Sequence, residues 1–293
     1  MRSRDRVPNW AIAVHGGCGR WAPQDAAAAR SGVRAAVAAG RRVLADGGSA
    51  LDAVCAAVVL LEDDPLFNAG TGSVLNRAGA VEMDASVMTG ADLRAGGVAS
   101  ISRVRNPILV ARAVMEKTPH VLLAGSGATA FARAQGFADY DPATPAAQRR
   151  PRARAAAAPG TVGAVALDGH GHLAAATSTG GMSLKLPGRV GDSPIPGAGN
   201  YATRRAAASA TGTGELMMRT LATKAVCDRV ATGRTAQAAA AAAIRALPAG
   251  PGESGGMIAL DARGRVGVAL RGGLMPHAWA SAADPRIAAR LRR

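Results

Sequence analysis

The pattern of hydrophobic and polar positions predicts strands and helices that come in blocks along the chain. Before residue 160, short apolar runs predict strands, and apolar positions that recur with helical spacing predict helices. The strands predicted there are 11–14, 80–88, 97–104 and 121–124, and the predicted helices are 24–46, 49–61, 106–117 and 128–135.

Beyond residue 160, the pattern predicts two antiparallel hairpins with helices between them. The hairpins pair 162–168 with 172–179 and 257–261 with 266–270, and the first closes through Asp168-Gly169-His170-Gly171, a sequence typical of tight turns. The intervening helices are predicted over 214–231 and 234–246. Because the elements come as hairpins and helical blocks instead of βαβ units, we expect a layered α+β sandwich and not a doubly wound parallel sheet.

Composition limits the classes of partner that we expect. Hydrophobic residues make up 48% of the 293 residues and aromatic residues only 3%, which predicts a core of Ala, Val, Leu and Met. The net charge of +15 is of the kind that polyanion-binding proteins carry. The arginines are scattered, however, and only three lysines occur, so we expect that no nucleic-acid partner is required. A basic binding protein without catalytic activity is the non-enzymatic alternative.

Cysteine usage and hydropathy bear on the compartment. The three cysteines, Cys18, Cys55 and Cys227, are odd in number and widely spaced, which is typical of a reducing compartment. No apolar run approaches the ~18 residues that span a bilayer. No apolar region of the kind found in signal peptides follows the charged residues 1–6 before His15, so we expect neither a membrane segment nor a signal peptide. We therefore expect a cytoplasmic protein.

The junction at Gly160 and Thr161 joins two very different segments. A basic, Ala- and Pro-rich stretch over about 137–160 predicts an exposed linker, and the β-branched apolar run that follows predicts a buried strand. One interpretation is a plain linker that meets a strand. The other is a cleavage site, because cutting there would give Thr161 a free α-amine, which can act as a base for its own weakly nucleophilic hydroxyl.

Three other motifs have competing interpretations. The stretch 125–130 resembles a dinucleotide fingerprint, but close packing at a helix start explains its small residues equally well. The acids at 62–64 could attract a cation, but three acids in a loop more often face solvent. Residues 252–256 match the G-x-S-x-G pattern, so a serine hydrolase built on Ser254 is an enzymatic alternative, with Asp261 and His277 as its partners in chain order. That motif precedes a hairpin, whereas a nucleophile elbow requires a strand, a turn and a helix.

Residues 177–214 place several groups in reach of Thr161. The short hairpin turn puts Thr179 roughly opposite Thr161. Arg189 and Asp192 lie three residues apart in a Gly- and Pro-bounded loop, where they suit the carboxylate and ammonium of an α-amino acid, or form an ion pair with each other. Thr211 and Gly212 precede a predicted helix, where a hydroxyl and N–H groups can stabilise an oxyanion.

Together these segments resemble the plant-type L-asparaginase/isoaspartyl peptidase family of N-terminal-nucleophile hydrolases, which is related to aspartylglucosaminidase. The segments that carry the resemblance, in the family's order, are 13–17, 61–72, 83–85, 105–107, 160–168, 177–199 and 211–215. The resemblance implies a four-layer αββα sandwich. It also implies self-cleavage into an α subunit (1–160) and a β subunit (161–293), which together form one folded domain, pair as an αβ heterodimer and associate as a dimer of such pairs.

The resemblance also implies roles for individual residues. Thr161 is the nucleophile, Thr179 polarises it, and Thr211 with Gly212 stabilises the oxyanion. Arg189, Asp192 and the Gly214 carbonyl bind the aspartyl moiety, and Asn68 and Gly17 border the site. No catalytic cofactor is implied. A structural sodium ion would be bound by main-chain carbonyls of Leu61, Glu62, Asp64, Phe67, Ala69 and Thr71.

The implied reaction is the hydrolysis of L-asparagine to aspartate and ammonia, and of β-aspartyl dipeptides, through a β-aspartyl ester on Thr161. An aspartylglucosaminidase-like activity on glycoasparagines is the alternative within the same class. The segment Arg271-Gly272-Gly273 departs from the family pattern, which leaves the preference for the leaving group open.

Overall fold

The computed structural model describes residues 9–145, 160–250 and 253–292. The strands of these residues are β1 (Ala11–His15), β2 (Met83–Thr89), β3 (Ala95–Ile101), β4 (Leu122–Ala124), β5 (Val162–Leu167), β6 (Leu173–Thr179), β7 (Asn200–Ala202), β8 (Ala206–Gly212), β9 (Gly255–Asp261), β10 (Val266–Arg271), β11 (His277–Ser281) and β12 (Ala288–Arg290). The α-helices are α1 (Ala26–Ala45), α2 (Ala50–Asp63), α3 (Pro107–Lys117), α4 (Gly125–Ala134), α5 (Gly214–Thr220), α6 (Ala222–Ala231) and α7 (Ala236–Ala246).

Two sheets pack face to face and helices cover their outer faces. In the described residues, an eight-stranded sheet has the order β12-β11-β1-β5-β6-β2-β3-β4 and a four-stranded sheet has the order β10-β9-β8-β7. Helices α1, α2 and α3 pack on the larger sheet, and α6 and α7 pack on the smaller one. Strands β5 and β6 face β8 across the interface between the sheets. The predicted αββα sandwich is confirmed.

The alternation of side chains along β5 shows how the layers form. Val162, Ala164 and Ala166 pack toward the helices, whereas Val165 and Leu167 lie in the core between the sheets. Both faces are apolar because the strand is buried on both sides. The same alternation determines the direction of the polar side chains at the ends of these strands.

Several elements differ from the sequence prediction. The single helix predicted over 214–231 is wrong, because Leu221 adopts a left-handed backbone conformation (φ 45°) that separates α5 from α6. Strands β7, β8, β11 and β12 were not predicted. The sequence of β8, Ala-Ala-Ala-Ser-Ala-Thr-Gly, favours a helix by propensity, but burial of both its faces and pairing with β9 make it a strand.

Two predictions concern the linker and the membrane. Most of the predicted linker, residues 146–159, lies outside the described residues. In the part of the chain that the structure describes, no helix combines the length and apolar character needed to cross a bilayer.

Candidate active site

Three threonines lie at one edge of the two facing sheets. Thr161 directly precedes β5, Thr179 ends β6, and Thr211 is the last residue but one of β8. The residue four positions along each strand belongs to the core between the sheets, so side-chain alternation directs all three threonines into the space between the sheets. Their relative exposures are only 6%, 2% and 0%. These hydroxyls therefore occupy a largely water-excluded position.

The hairpin of β5 and β6 brings Thr161 and Thr179 together. Val162 pairs with Ser178, so the next step of that register places Thr161 opposite Thr179. The Thr179 hydroxyl oxygen accepts a hydrogen bond from Gly181 N at 2.9 Å, which fixes the side chain at the start of the following loop. Its own proton can then be directed toward a neighbouring oxygen.

The peptide before Thr161 lies against the loop that follows β1. Gly17 has a positive φ of 104°, and a Cβ atom placed on it would lie 2.5 Å from the Gly160 carbonyl oxygen. A Cβ placed on Gly160 would lie 2.8 Å from Thr211 Oγ1. The Gly160–Thr161 bond therefore lies in a close-fitting cradle, next to the hydroxyl assigned to the oxyanion.

Thr211 has a defined donor and acceptor role. Its Oγ1 accepts a hydrogen bond from Cys18 N at 3.0 Å. Since the oxygen is already an acceptor, the hydroxyl proton is available to donate toward the site. Cys18 itself is buried, and burial raises the pKa of its thiol to about 12, so it is not a nucleophile at neutral pH.

Arg189 and Asp192, which we call the clamp, lie beside the start of α5. The Arg189 guanidinium donates from Nε and Nη2 to Glu215 Oε1, at 3.0 and 2.8 Å. Among the described residues, Arg189 therefore forms its ion pair with Glu215 and not with Asp192. A Cβ on Gly214 would lie 2.8 Å from Asp192 Oδ1 and 3.0 Å from Arg189 Nη2. Both clamp residues therefore approach the first residue of the helix.

The Asp192 carboxyl lacks a charge partner. It is 3% exposed, and its Oδ2 has no hydrogen-bond partner among the described residues. Burial raises its pKa to about 7, although Arg189 lies nearby. A buried carboxyl of this kind is suited to a cationic ligand.

Asp84 supports the clamp loop from β2. Its Oδ2 accepts a hydrogen bond from Gly191 N at 2.9 Å, between the two clamp residues, and its Oδ1 accepts from Ser100 N at 2.7 Å. Lys185 is 6% exposed and donates to the Glu82 carbonyl at 2.7 Å. Sequence reasoning noted Asp84 only as part of a motif and missed Glu215 as the partner of Arg189.

A buried polar chain lies beneath the start of β5. His15 Nε2 and Ser209 Oγ are 3.0 Å apart, and Ser209 Oγ and Thr177 Oγ1 are 2.7 Å apart. A Cβ on Gly163 would lie 2.6 Å from His15 Nε2, which explains the glycine two residues after Thr161. Burial lowers the pKa of His15 to about 3, so the ring is neutral. This chain was not predicted, since a lone histidine at a strand end carries no pattern.

Asn68 and Glu62 connect the loop after α2 to β6. Asn68 accepts a hydrogen bond from Val74 N at 3.0 Å and donates to the Gly181 carbonyl at 2.8 Å. Glu62 is fully buried in the last turn of α2, so the predicted solvated loop is wrong for this residue. It accepts hydrogen bonds from Ile108 N at 3.0 Å and from Ser178 Oγ at 2.6 Å, and these contacts hold the carboxyl inside the fold. Burial raises the pKa of Glu62 to about 8.

One cavity of about 680 Å³ collects these groups. Its described lining includes Thr161, Thr179, Arg189, Asp192, Asn68, Gly160, Gly212 and Gly214. Gly17 and Thr211 adjoin it through Gly160. The carbonyl groups assigned to sodium lie instead in the loop from the end of α2 to residue 72.

The residues of the serine hydrolase alternative do not come together in the structure. Ser254 lines the same cavity, but Asp261 and His277 are not among the described residues that line it. Asp261 pairs with Arg265 at 2.7 Å, and His277 Nδ1 lies 2.7 Å from the Met275 carbonyl. Neither of the two residues expected to activate the Ser254 hydroxyl, Asp261 and His277, is therefore placed to do so in the described part of the chain.

The αββα sandwich, with a threonine before a central strand and its hydroxyl at an edge between the sheets, is the fold of N-terminal-nucleophile hydrolases. A family model described as asparaginase matches residues 8–156 and 145–287, and the chain belongs to this family. It is 46% identical to an isoaspartyl peptidase of Salmonella typhimurium, over 93% of this chain and 96% of that protein. It is 47% identical to a plant-type L-asparaginase of Pyrococcus furiosus, over 92% and 95%. An isoaspartyl peptidase of Escherichia coli is 44% identical, over 93% of each chain.

Proposed function

We propose that this protein is a self-processing amidohydrolase that hydrolyses L-asparagine and β-aspartyl dipeptides through an ester on Thr161. The observation that carries the proposal is the common cavity, which joins the Thr161 hydroxyl to the partly buried Arg189 guanidinium and the buried Asp192 carboxyl, a pair that suits an α-amino acid. The names of the relatives, isoaspartyl peptidase and plant-type L-asparaginase, agree with both substrate types.

The first half-reaction forms the ester. Thr161 Oγ attacks the side-chain carbonyl carbon of the aspartyl moiety, and the hydroxyl proton passes to the α-amine that cleavage frees. The Thr211 hydroxyl and Gly212 N–H stabilise the oxyanion of the tetrahedral intermediate. When the C–N bond breaks, the amine proton passes to the leaving nitrogen, which departs as ammonia or as the amine of an amino acid.

The second half-reaction restores the enzyme. Water attacks the ester carbonyl and gives a proton to the same α-amine, and the proton then returns to Thr161 Oγ as the C–O bond breaks. Aspartate leaves with its new side-chain carboxylate. Thr179, opposite Thr161, orients the hydroxyl through both steps.

The clamp binds the part of the substrate that does not react. Asp192 takes the α-ammonium, which supplies the cationic partner that its buried carboxyl lacks. Arg189, held at two nitrogens by Glu215, offers its remaining nitrogen to the α-carboxylate. Both interactions are the same for asparagine and for a β-aspartyl dipeptide.

Self-processing prepares the nucleophile. Cleavage at Gly160–Thr161 gives subunits 1–160 and 161–293, which remain one folded domain because β1 pairs with β5 and with β11. We further propose that two such αβ pairs associate. A cytoplasmic location agrees with the three cysteines, all of which are free and buried.

A sodium ion fits the loop after α2. Leu61 and Glu62 belong to the last turn of α2, where helix carbonyls have no intrahelical partner. The Asp64 and Ala69 carbonyls each accept one hydrogen bond, from Phe67 N and Gly72 N, which leaves each of these two oxygens a second lone pair. Further carbonyls of the loop, from Asp64, Phe67, Ala69 and Thr71, would complete an all-oxygen set of the kind that hard cations prefer. Bound there, the ion would supply rigidity to the loop that carries Asn68 and would take no chemical part.

Intact mass and product analysis test the proposal. Purified protein held for days at room temperature should give two chains and a new N-terminus at Thr161, and should then release aspartate from L-asparagine and from β-aspartyl-leucine. Thr161→Ala should remain one chain of 29.3 kDa and lose activity by about 10⁴-fold or more. Ser254→Ala is the matched control and should be cleaved and remain active. An uncut wild-type chain, or activity that depends on Ser254 and not on Thr161, would overturn the proposal; release of aspartate from a glycoasparagine alone would favour the aspartylglucosaminidase-like alternative.

A further inference from the structure

We propose that Arg20 forms a leaving-group subsite that binds the free carboxylate of the residue released from a β-aspartyl dipeptide. The inference rests on the proposed function and goes beyond it, because it assigns a substrate class to the end of the cavity that lies away from the clamp and does not bind the aspartyl moiety. It predicts that this chain favours β-aspartyl dipeptides with a free C-terminal carboxylate over substrates without one.

The cavity extends well beyond the clamp. Its described lining continues through Cys18, Gly19, Arg20, Glu253, Ser254 and Gly272. Its volume of about 680 Å³ lies in the range of pockets that hold drug-sized ligands. A single asparagine fills only a small part of such a space. There is room for a second residue attached to the aspartyl side chain.

The charges of the substrate can be matched one by one. A β-aspartyl dipeptide carries an α-ammonium and an α-carboxylate on its aspartyl moiety, and these are bound by Asp192 and Arg189. One charge remains, the C-terminal carboxylate of the leaving residue. Asparagine has no such group, so a cation that binds this carboxylate distinguishes the two substrates.

Arg20 is a cation without an internal partner. In the part of the chain that the structure describes, its guanidinium makes no hydrogen bond or ion pair, whereas Arg189 is held by Glu215. Arg20 is exposed and lines the cavity. Its fork of N–H groups matches a carboxylate in geometry and charge.

The backbone at Arg20 is held firmly. Gly19 and Leu274 exchange two hydrogen bonds of 3.0 Å, one in each direction. One residue earlier, Cys18 N donates to Thr211 Oγ1, the hydroxyl assigned to the oxyanion. Arg20 therefore extends from a segment that is fixed relative to the reacting carbonyl, and the carboxylate it binds would help to place the scissile amide.

The remaining lining agrees with an amino-acid leaving group. Met182 is 49% exposed and lines the same cavity, so it offers apolar surface to a side chain of the leaving residue. Leu184 also lines it, in a left-handed conformation (φ 56°) that is rare for a leucine. Glu253 is the acid on this side of the cavity, and a Cβ on Gly250 would lie 2.7 Å from its Oε2, so it turns away toward residue 250.

Three substrates and three variants test the subsite in the mature enzyme. The substrates are L-asparagine, β-aspartyl-leucine and β-aspartyl-leucinamide, which lacks the carboxylate. The variants are Arg20→Gln, Arg20→Lys and, as a matched exposed arginine outside the cavity, Arg234→Gln. Values of kcat/KM come from aspartate release at low and at high ionic strength.

We expect Arg20→Gln to lower kcat/KM for β-aspartyl-leucine about five- to tenfold, as an exposed charge-assisted contact implies, and to change asparagine hydrolysis less than twofold. Arg20→Lys should keep part of the preference, and Arg234→Gln should keep all of it. In the wild type, the leucinamide should be poorer than the leucine dipeptide by a similar factor, a difference that Arg20→Gln and high salt both remove.

Two results would overturn the subsite. One is an equal loss on all three substrates in Arg20→Gln, which would show a structural role. The other is no preference for the free carboxylate in the wild type. Failure of the proposed function is a different result, since the wild type would then release no aspartate from any of the substrates.

Discussion

The two ends of the cavity are built in different ways. At the clamp end, Arg189 is held by Glu215, Asp192 is buried, and Asp84 fixes the backbone between them. At the other end, Arg20 is exposed and lacks a partner among the described residues, and the half-exposed Met182 lines the same cavity. Rigid, desolvated groups bind one ligand geometry strongly, whereas exposed and flexible ones bind several weakly. The contrast indicates strict recognition of the aspartyl moiety and a graded preference for what is attached to it.

Among changes that separate the two ends of the cavity, the largest effect is expected from a substitution in the clamp. Asp192→Asn keeps the shape of the side chain but removes the charge that binds the α-ammonium. Because a charged hydrogen bond in a buried site contributes roughly 2–3 kcal/mol, kcat/KM should fall about 30- to 150-fold. The loss should be alike for asparagine and β-aspartyl-leucine, as measured by aspartate release. A loss confined to the dipeptide would place Asp192 at the wrong end of the cavity.

The pH profile gives the second test of the clamp. The pKa of Asp192 is raised to about 7 by burial, with Arg189 lowering it and Asp84 and Glu215 raising it. Only the ionised carboxyl binds ammonium, so binding weakens as pH falls below 7. The α-amine that cleavage frees on Thr161 must also be deprotonated to act as a base, and α-amines of model peptides titrate at ~7.7–8.0. Below pH 7, log kcat/KM should therefore rise with a slope approaching 2 in the wild type.

Asp192→Asn should reduce that slope to 1, since only the amine then titrates. The comparison uses initial rates between pH 5 and 8 on enzyme that has first been matured at neutral pH. An unchanged slope in the variant would mean that Asp192 is ionised throughout this range and does not control binding.

Much of this contrast was predictable from the sequence, but the supporting contacts were not. Strand alternation and a short hairpin turn suffice to place Thr179 opposite Thr161, because both are local rules. Arg189 and Asp192 were found because they lie three residues apart in one loop. Glu215, Asp84 and Ser209 could not be found in this way, because each contacts the site from a strand or helix distant in sequence. Their partners became neighbours only when the two sheets packed together.

The same reasoning explains the errors in the fold. Strand β8 is rich in alanine, and only its place between β7 and β9 makes it extended. The break at Leu221 is a single left-handed residue that no Gly or Pro announces. Local propensity determines the type of a secondary-structure element only where tertiary contacts favour no alternative. At β8 and at Leu221 the tertiary contacts do favour one.

Glu215 allows a smaller change at the clamp end. Glu215→Gln keeps a hydrogen-bond acceptor for Arg189 but removes the charge, so the guanidinium is held less firmly. We expect KM for asparagine to rise about tenfold with kcat nearly unchanged, because Glu215 positions Arg189 and does not touch the reacting atoms. Steady-state kinetics on both substrates measure this. Glu253→Gln, at the opposite end, is the matched control and should leave KM for asparagine within twofold; a fall in kcat without a change in KM would contradict the positioning role of Glu215.

The smallest effect concerns the buried polar chain of His15, Ser209 and Thr177 beneath the start of β5, and it is an effect on the free energy of unfolding. His15 is buried with its pKa lowered to about 3, so protonation near its ordinary value of ~6.5 occurs only in the unfolded state. The unfolded state therefore binds more protons as pH falls, and the free energy of unfolding should drop by up to about 1.4 kcal/mol per pH unit from 6 to 4. Urea unfolding of His15→Gln should lack this part of the pH dependence, although the variant is less stable at pH 7. The pKa of His277 is also lowered by burial, so urea unfolding of His277→Gln over the same pH range is the comparison that separates the contributions of the two histidines. If His15→Gln and the wild type lose stability in parallel on acidification, protonation of His15 is not the cause of the loss. The buried chain from His15 to Thr177 would then not limit the acid stability of the site.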